Sequence, residues 1–375
     1  MSQSPKFRSH MLREIFEQPE AVLHTVLAMH SADAGYSGFD GVGKVAAALR
    51  GVKRIVIAAS GTSRHAGIAG KQMLESMTTI PVEVEYASEF QHSPAVTGPE
   101  TLVMVITQSG ETADTLGSLR KAKASGATVM AVANVIDSSI MREADARIET
   151  RAGKELAIPS TKAFTAQLAA LFLFSLWIGE QIGTISRGQA RSSVAELLKI
   201  PEKLSRVLES KPQVSEISEK YAGVDDFIFA GRGIHYPIAL DGALKLKEVA
   251  YVHAEGYPLG EVKHGPLALL DEMVVSVILA TCDRNNSESV MRYEKTLSGA
   301  KEIKDRGGRL IMVANHGDIQ VAGIADDVLY IPDASELLLP ILEIVPLQLL
   351  AHDIALLRGN DVDHPRSLVK AVLTD

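Results

Sequence analysis

The sequence predicts an α/β protein built from two tandem, doubly wound parallel-sheet domains related by duplication. The first observation behind this is length: 375 residues are about twice an ordinary domain, enough for two full cores. The second is an internal repeat, in which apolar β-branched runs, polar turns and helical patterns succeed one another twice in the same order.

Met11 to His30 has helical spacing of apolar residues, and Ala32 to Val42, with Gly35, Gly38 and Gly41, reads as a loop leading to Gly43. The first cycle opens with the strand pattern Arg54 to Ala59, the turn Ser60-Gly-Thr-Ser-Arg64 and a helix through Glu75. Two further strands, Leu102 to Ile106 and Thr128 to Asn134, complete it. The second cycle runs Asp226 to Ala230, a turn through Gly231-Arg-Gly233, a helix from Pro237 to Val252, then strands Val274 to Leu279 and Arg309 to Asn315. The last strand of each cycle ends in Val-Ala-Asn, which strengthens the parallel. Between the cycles, Ile185 to Gly223 has helical periodicity interrupted by Pro201. Leu168 to Ile178 (LAALFLFSLWI) falls short of the roughly 18 to 20 apolar residues of a membrane span, so it is expected to be a buried helix. These readings divide the chain into a helical segment 1–45, a first domain 46–184, linking helices 185–223, a second domain 224–358 and a tail 359–375.

Composition narrows the function classes. Apolar residues make up 46% and charged ones 22%, with no biased tract, which excludes disorder, collagen and coiled coil. The net charge is −8 and Lys and Arg are scattered, so nucleic acid is not an expected partner. One cysteine, Cys282, excludes an internal disulfide and a multi-thiolate metal site. The start, Met-Ser-Gln-Ser-Pro-Lys, has no apolar signal core, so the expected location is cytoplasmic, with no membrane partner.

Open parallel sheets bind ligands at the carboxyl ends of their strands, which directs attention to the loops there. Ser60-Gly61-Thr62-Ser63 and Thr107-Gln108-Ser109-Gly110-Glu111-Thr112 are rich in hydroxyls, contain glycine and lead into helices whose N-termini favour an anion. Together they suggest a phosphate cradle; simple helix N-capping by the same Ser and Thr side chains is the alternative. No lysine-containing P-loop and no GxGxxG follows a strand, so a nucleotide pyrophosphate is not indicated. In the second cycle, Glu248 lies beside Lys245 and apolar Leu244, Val249 and Val252, an environment suited to a proton shuttle. A plain surface ion pair between Lys245 and Glu248 reads equally from that spacing. His264 stands in a Lys-His-Gly-Pro turn, a position open to substrate. No HExxH or related pattern occurs, so neither a metal nor another cofactor is expected.

The motifs SGTS, TQSGETADTL, ELAIPSTKAFTAQ, ALDGALKLKEVAYVHAEGYPLGEVKHGPLALLDE and DVDHPRSLVKAVLTD resemble the tandem sugar-isomerase (SIS) domains of the glucosamine-6-phosphate synthase family, from about Arg8 to the end. The resemblance implies flavodoxin-like domains and a phosphorylated hexose or hexosamine as ligand. It implies phosphate binding by Ser63, Thr107, Gln108, Ser109 and Thr112, with Ser160 near the sugar hydroxyls. It implies Glu248 as the proton shuttle between sugar carbons 1 and 2, and His264 as the ring-opening group contributed across a homodimer. Lys370 matches a tail lysine able to form a Schiff base with a keto sugar.

Three departures shape the expected activity. Met1 is followed by Ser2 rather than by the nucleophilic cysteine of a glutaminase, Thr107 stands where serine is usual, and Pro159 and Pro258-Leu259 replace small residues. Without ammonia from glutamine, the same carbon chemistry is expected to run toward release, as a glucosamine-6-phosphate deaminase yielding fructose 6-phosphate and ammonia. A fructosamine-6-phosphate deglycase, a galactosamine-6-phosphate deaminase and an ammonia-dependent sugar-phosphate isomerase share its anchor and shuttle. A non-enzymatic sugar-phosphate sensor is the alternative from another class.

Overall fold

Each β-branched apolar run becomes a strand, because side chains branched at Cβ fit a pleated surface and its buried faces. The computed structural model describes residues 7–31, 35–36, 39–94 and 97–373. The chain divides into two units, one formed by the described residues of Glu20–Gly153, Lys162–Lys199 and Ala371–Asp375, the other by those of Met1–Pro19, Lys154–Thr161 and Ile200–Lys370.

The first of these units holds β1 (His30–Ser31) paired antiparallel with β2 (Gly35–Tyr36), and a six-stranded sheet. Its strands are β3 (Phe39–Asp40), β4 (Arg54–Ala59), β5 (Val82–Tyr86), β6 (Thr101–Ile106), β7 (Thr128–Ala133) and β8 (Ala146–Glu149), in the order β3-β8-β7-β6-β4-β5. All pairings are parallel except β3 on β8, and Ile57, Met104 and Met130 lie in register across the three central strands. One face packs Val56, Val103, Val105 and Val129 against Leu119, Ala122 and Ile140. On the helix Gly61–Met77, a Cβ at Gly70 would stand 2.9 Å from Leu171, so glycine is what lets the helix Lys162–Ile182 approach.

The second unit carries β9 (Asp226–Gly231), β10 (His253–Pro258), β11 (Val274–Leu279), β12 (Arg309–Asn315) and β13 (Asp327–Ile331), all parallel, in the order β10-β9-β11-β12-β13. The helix Tyr236–Ala250 packs on the helix Leu339–Leu357, where a Cβ at Gly242 would lie 2.7 Å from Leu347. Numbered within each unit from β4 and from β9, both parallel sheets have the order 2-1-3-4-5, which is the flavodoxin-like winding. The repeat read from sequence is therefore a repeat of topology.

Two expectations change. The segment Ala32 to Val42 is not simply a loop: it contains β2 and β3, and Val42 opens a helix running to Ala48, while residues 32–34 and 37–38 lie outside the described residues. The helix around Leu168 to Ile178 extends over Lys162–Ile182 and, with Glu336–Leu357, is long and apolar enough to cross a membrane by length and composition alone. Both are 94% buried within the protein, so their apolar surfaces serve its cores, each fully buried Leu or Ile contributing about 1.5–3 kcal/mol.

Candidate active site

A 2-1-3-4-5 sheet reverses its winding direction beside its first strand, and ligands of such sheets sit in the crevice that opens there. In the first unit this crevice lies between β4 and β6, and the two loops leaving those strands are the two hydroxyl-rich loops singled out in the sequence. Ser60 and Thr112 are the N-cap residues of the helices Gly61–Met77 and Ala113–Ala124, and neither makes a side-chain cap hydrogen bond. Capping therefore does not account for those hydroxyls. Thr107 Oγ1 instead lies 3.3 Å from Thr112 Oγ1 and accepts from the Gly110 N–H. Ser109 Oγ accepts from the Glu111 N–H at 3.2 Å, and Glu111 accepts from the Ser139 N–H. Gly110 is required: its φ is +72°, and a Cβ there would strike Ser138 Oγ. Ser63 Oγ accepts from Gln167 Nε2 at 3.0 Å, which orients it from the buried helix behind. The result is a cradle of hydroxyls and helix N-termini, with one carboxylate, Glu111, turned to the Ser139 N–H.

The second unit carries the ionisable groups. Lys245 Nζ donates to Glu248 Oε2 at 2.6 Å, with Lys245 fully buried and Glu248 at 21% exposure. Burial by itself depresses the Lys245 ammonium, but the charges of Glu248 and Asp241 outweigh it and hold the pKa above its ordinary value. The helix bearing both residues stops at Tyr251, in the left-handed conformation at φ +57°, and the tail packs over that end. Asn360 donates to Val249 O, the Arg366 N–H donates to Tyr251 Oη, and the Arg366 guanidinium lies 4.2 Å from the Tyr251 ring centre.

From this tail Lys370 Nζ reaches Glu155 Oε2 at 2.5 Å and Ala157 O at 2.7 Å. Ser160 Oγ donates to the same carboxylate oxygen at 3.1 Å, and the Thr161 N–H donates to Glu155 Oε1 at 2.9 Å. Glu155 thus gathers Ser160 and Lys370, two of the expected site residues, on one buried side chain. The loop backbone is held in turn by Glu14, which accepts from the Leu156 and Ala157 N–H groups. Burial, opposed by those two bonds, raises the Glu14 pKa. His264 stands apart, exposed in the short turn Glu261–His264, with no bond to Glu248 or Lys370. Among the described residues no group of three or more His, Cys, Asp or Glu is arranged to hold a metal ion.

Two segments of the sequence, residues 48–176 and 221–358, match the SIS domain family. The chain belongs to the SIS family. Glutamine–fructose-6-phosphate aminotransferase (isomerizing) of Chlorobaculum tepidum is 43% identical over 369 residues, covering 98% of this chain and 59% of that protein. The enzyme of the same name from Thermus thermophilus is 42% identical over 371 residues, with the same coverage. The SIS chain therefore spans less than two thirds of the length of the curated relatives it matches. The C-terminal domain of glucosamine-fructose-6-phosphate aminotransferase from Francisella tularensis superposes with a TM-score of 0.89 at 38% identity, covering 97% of this chain and all of that one. Glucosamine-6-phosphate deaminase of Thermotoga maritima, at 21% identity and TM-score 0.67, covering 97% of this chain and 99% of that one, shares the fold. The chain is an SIS enzyme homologous to the C-terminal isomerase half of the aminotransferases.

Reasoning from sequence did not single out Glu155, Glu14 or Gln167, although Glu155 and Gln167 lie in a motif that carried the family resemblance. Their meaning comes from partners 215, 142 and 104 residues away, which no local pattern announces.

Proposed function

We propose that this SIS chain is an amino-sugar phosphate isomerase acting as a glucosamine-6-phosphate deaminase, converting glucosamine 6-phosphate and water into fructose 6-phosphate and ammonia. The observation that carries the reading is the Lys245–Glu248 pair, a buried ammonium holding a carboxylate that is still partly exposed. One oxygen of Glu248 is tethered, and the side chain remains accessible to a substrate carbon. Such a carboxylate suits the transfer of a proton from carbon 2 to carbon 1 of an opened aldose, a step worth about a hundred to ten-thousand-fold when the group is positioned.

In this reading Ser63, Thr107, Gln108, Ser109 and Thr112 bind the phosphate, and Ser160 meets the sugar hydroxyls. His264 opens the ring from the partner subunit of a cytoplasmic homodimer, and water hydrolyses the imine left at carbon 2. Lys370 takes the keto sugar as a Schiff base.

The test is ammonia and fructose 6-phosphate release from glucosamine 6-phosphate, beside galactosamine 6-phosphate and a fructosamine 6-phosphate. Glu248→Gln is expected to lower kcat by at least about a thousandfold while sugar phosphate affinity changes little. Ammonia from none of the three substrates, or an active Glu248→Gln variant, overturns the reading.

A further inference from the structure

The duplicated sheet of the second unit has its own winding reversal, between β9 and β11, and hence its own crevice at the carboxyl ends of its strands. Position by position it corresponds to the hydroxyl cradle: His235 follows the end of β9 as Ser63 follows the end of β4, and Asn286 holds the N-cap position of its helix as Thr112 holds that of the other, though only Asn286 makes the capping bonds. The chemistry differs. Glu336, from the segment after β13, is buried in this crevice and gathers donors on every side. Arg292 donates from Nε at 3.0 Å and from Nη2 at 2.5 Å, Ser289 donates from its hydroxyl, and His235 Nε2 lies 3.5 Å away. A guanidinium fork, a serine hydroxyl in the first turn of a long helix and an imidazolium are the groups that otherwise hold a phosphate monoester.

The charges balance internally. His235 Nδ1 binds Glu343 Oε1 at 2.7 Å, and Glu343 also accepts from Thr281. Two cations, Arg292 and His235, thus face two carboxylates, Glu336 and Glu343. Asp283, at the rim, is turned to the backbone N–H groups of Asn285 and Glu336. Removing the Glu336 carboxylate would leave Arg292 with only the exposed Glu288 carboxylate, 3.8 Å away, and a void lined by its former donors, with the partly exposed Arg292 at its mouth.

We propose that the β9/β11 crevice is a latent oxyanion site closed by the protein's own Glu336 carboxylate, and that deleting this side chain opens it to inorganic phosphate. The inference is independent of which sugar phosphate the other unit's loops bind. It explains why a duplicated fold can keep only one of its two crevices open to ligand.

The test is thermal unfolding of wild type, Glu336→Ala and Glu336→Ala/Arg292→Ala in chloride and in inorganic phosphate at matched ionic strength. Phosphate is held at roughly 10 mM so that general salting effects stay small. The hydroxyl cradle is the same in all three proteins, so phosphate taken up there enters all three responses and cancels in the comparison. Glu336→Ala is expected to gain roughly 3 °C more than wild type from phosphate, and the double variant to lose that gain. Equal phosphate responses in wild type and Glu336→Ala overturn the proposal. If Glu336→Ala does not fold in chloride, refolding yield replaces melting: recovery in phosphate alone supports the latent site, and recovery in neither buffer overturns it.

Discussion

The β4/β6 crevice is lined mainly by hydroxyls, its one loop carboxylate, Glu111, being turned to a backbone N–H and its N-cap positions carrying no capping bond, whereas the β9/β11 crevice is filled by four charged side chains bound to one another. Topology made both crevices. What separates them is whether the polar groups at the strand ends are satisfied by one another or left with hydrogen-bonding capacity for a ligand. A neutral hydroxyl costs little to leave solvated, so the first crevice can stay open. A buried charge cannot stay unpaired, so the second holds its own counter-ions.

The largest expected effect follows from that last point. Glu343→Ala removes the carboxylate that binds His235 Nδ1 and the Thr281 hydroxyl inside a fully buried cluster. Breaking such a pair from one side is expected to cost about 3–5 kcal/mol of stability in urea unfolding, with little change in kcat. A loss below about 1 kcal/mol would mean that the second crevice is not held together by its charges, and the contrast with the first would collapse.

The hydroxyl cradle should behave the opposite way. Thr112 makes no side-chain cap bond and Ser109 holds a single backbone N–H, that of Glu111 at 3.2 Å, so Ser109→Ala and Thr112→Val should each change stability by no more than about 1 kcal/mol. Under the proposed function, each should raise KM for the sugar phosphate by about tenfold with a smaller change in kcat, measured by steady-state kinetics. Stability loss without a change in KM would assign the loops a structural role.

This division also marks how far the sequence could be read. The central strands β4, β6 and β7, and β9, β11 and β12, announce themselves as continuous apolar runs because both faces of a parallel sheet are covered. The edge strands β5 (VEVEY) and β10 (HAEGYP) carry charged or polar residues and glycine, since an edge has less to bury, and they were not visible as strands. The hydroxyl loops were legible because they directly follow strands and combine Ser, Thr and Gly. The ionic crevice was not. His235 is one of eleven histidines, and only the fold brings it to Glu343, 108 residues away. Lys245 and Glu248 were legible as a pair, but their spacing left open whether Lys245 was buried, and that burial distinguishes the pair from an ordinary surface contact.

The pH dependence of stability tests the charged crevice alone, and its sign differs between the acid and the alkaline limb. Burial raises the Glu336 carboxyl, but His235, Ser289 and Arg292 outweigh it and bring the pKa down to about 2 from an ordinary 4.5. Its stabilisation is therefore present above pH 4.5 and lost as pH falls toward 2. Burial lowers the His235 imidazolium, but Glu343 and Glu336 outweigh it and push the pKa up to about 10 from 6.5. Its stabilisation is present below pH 6.5 and lost as pH rises toward 10. The cluster therefore stabilises most between about pH 4.5 and 6.5, falling away on both sides, whereas a cradle of uncharged hydroxyls contributes no such slope. In urea titrations across pH, Glu336→Gln is expected to flatten the acid limb and leave part of the alkaline limb, because Glu343 still holds His235. An acid limb as steep in the variant as in wild type would show that the closed crevice owes its stability to packing rather than to the paired charges, leaving Glu336 as filler rather than counter-ion.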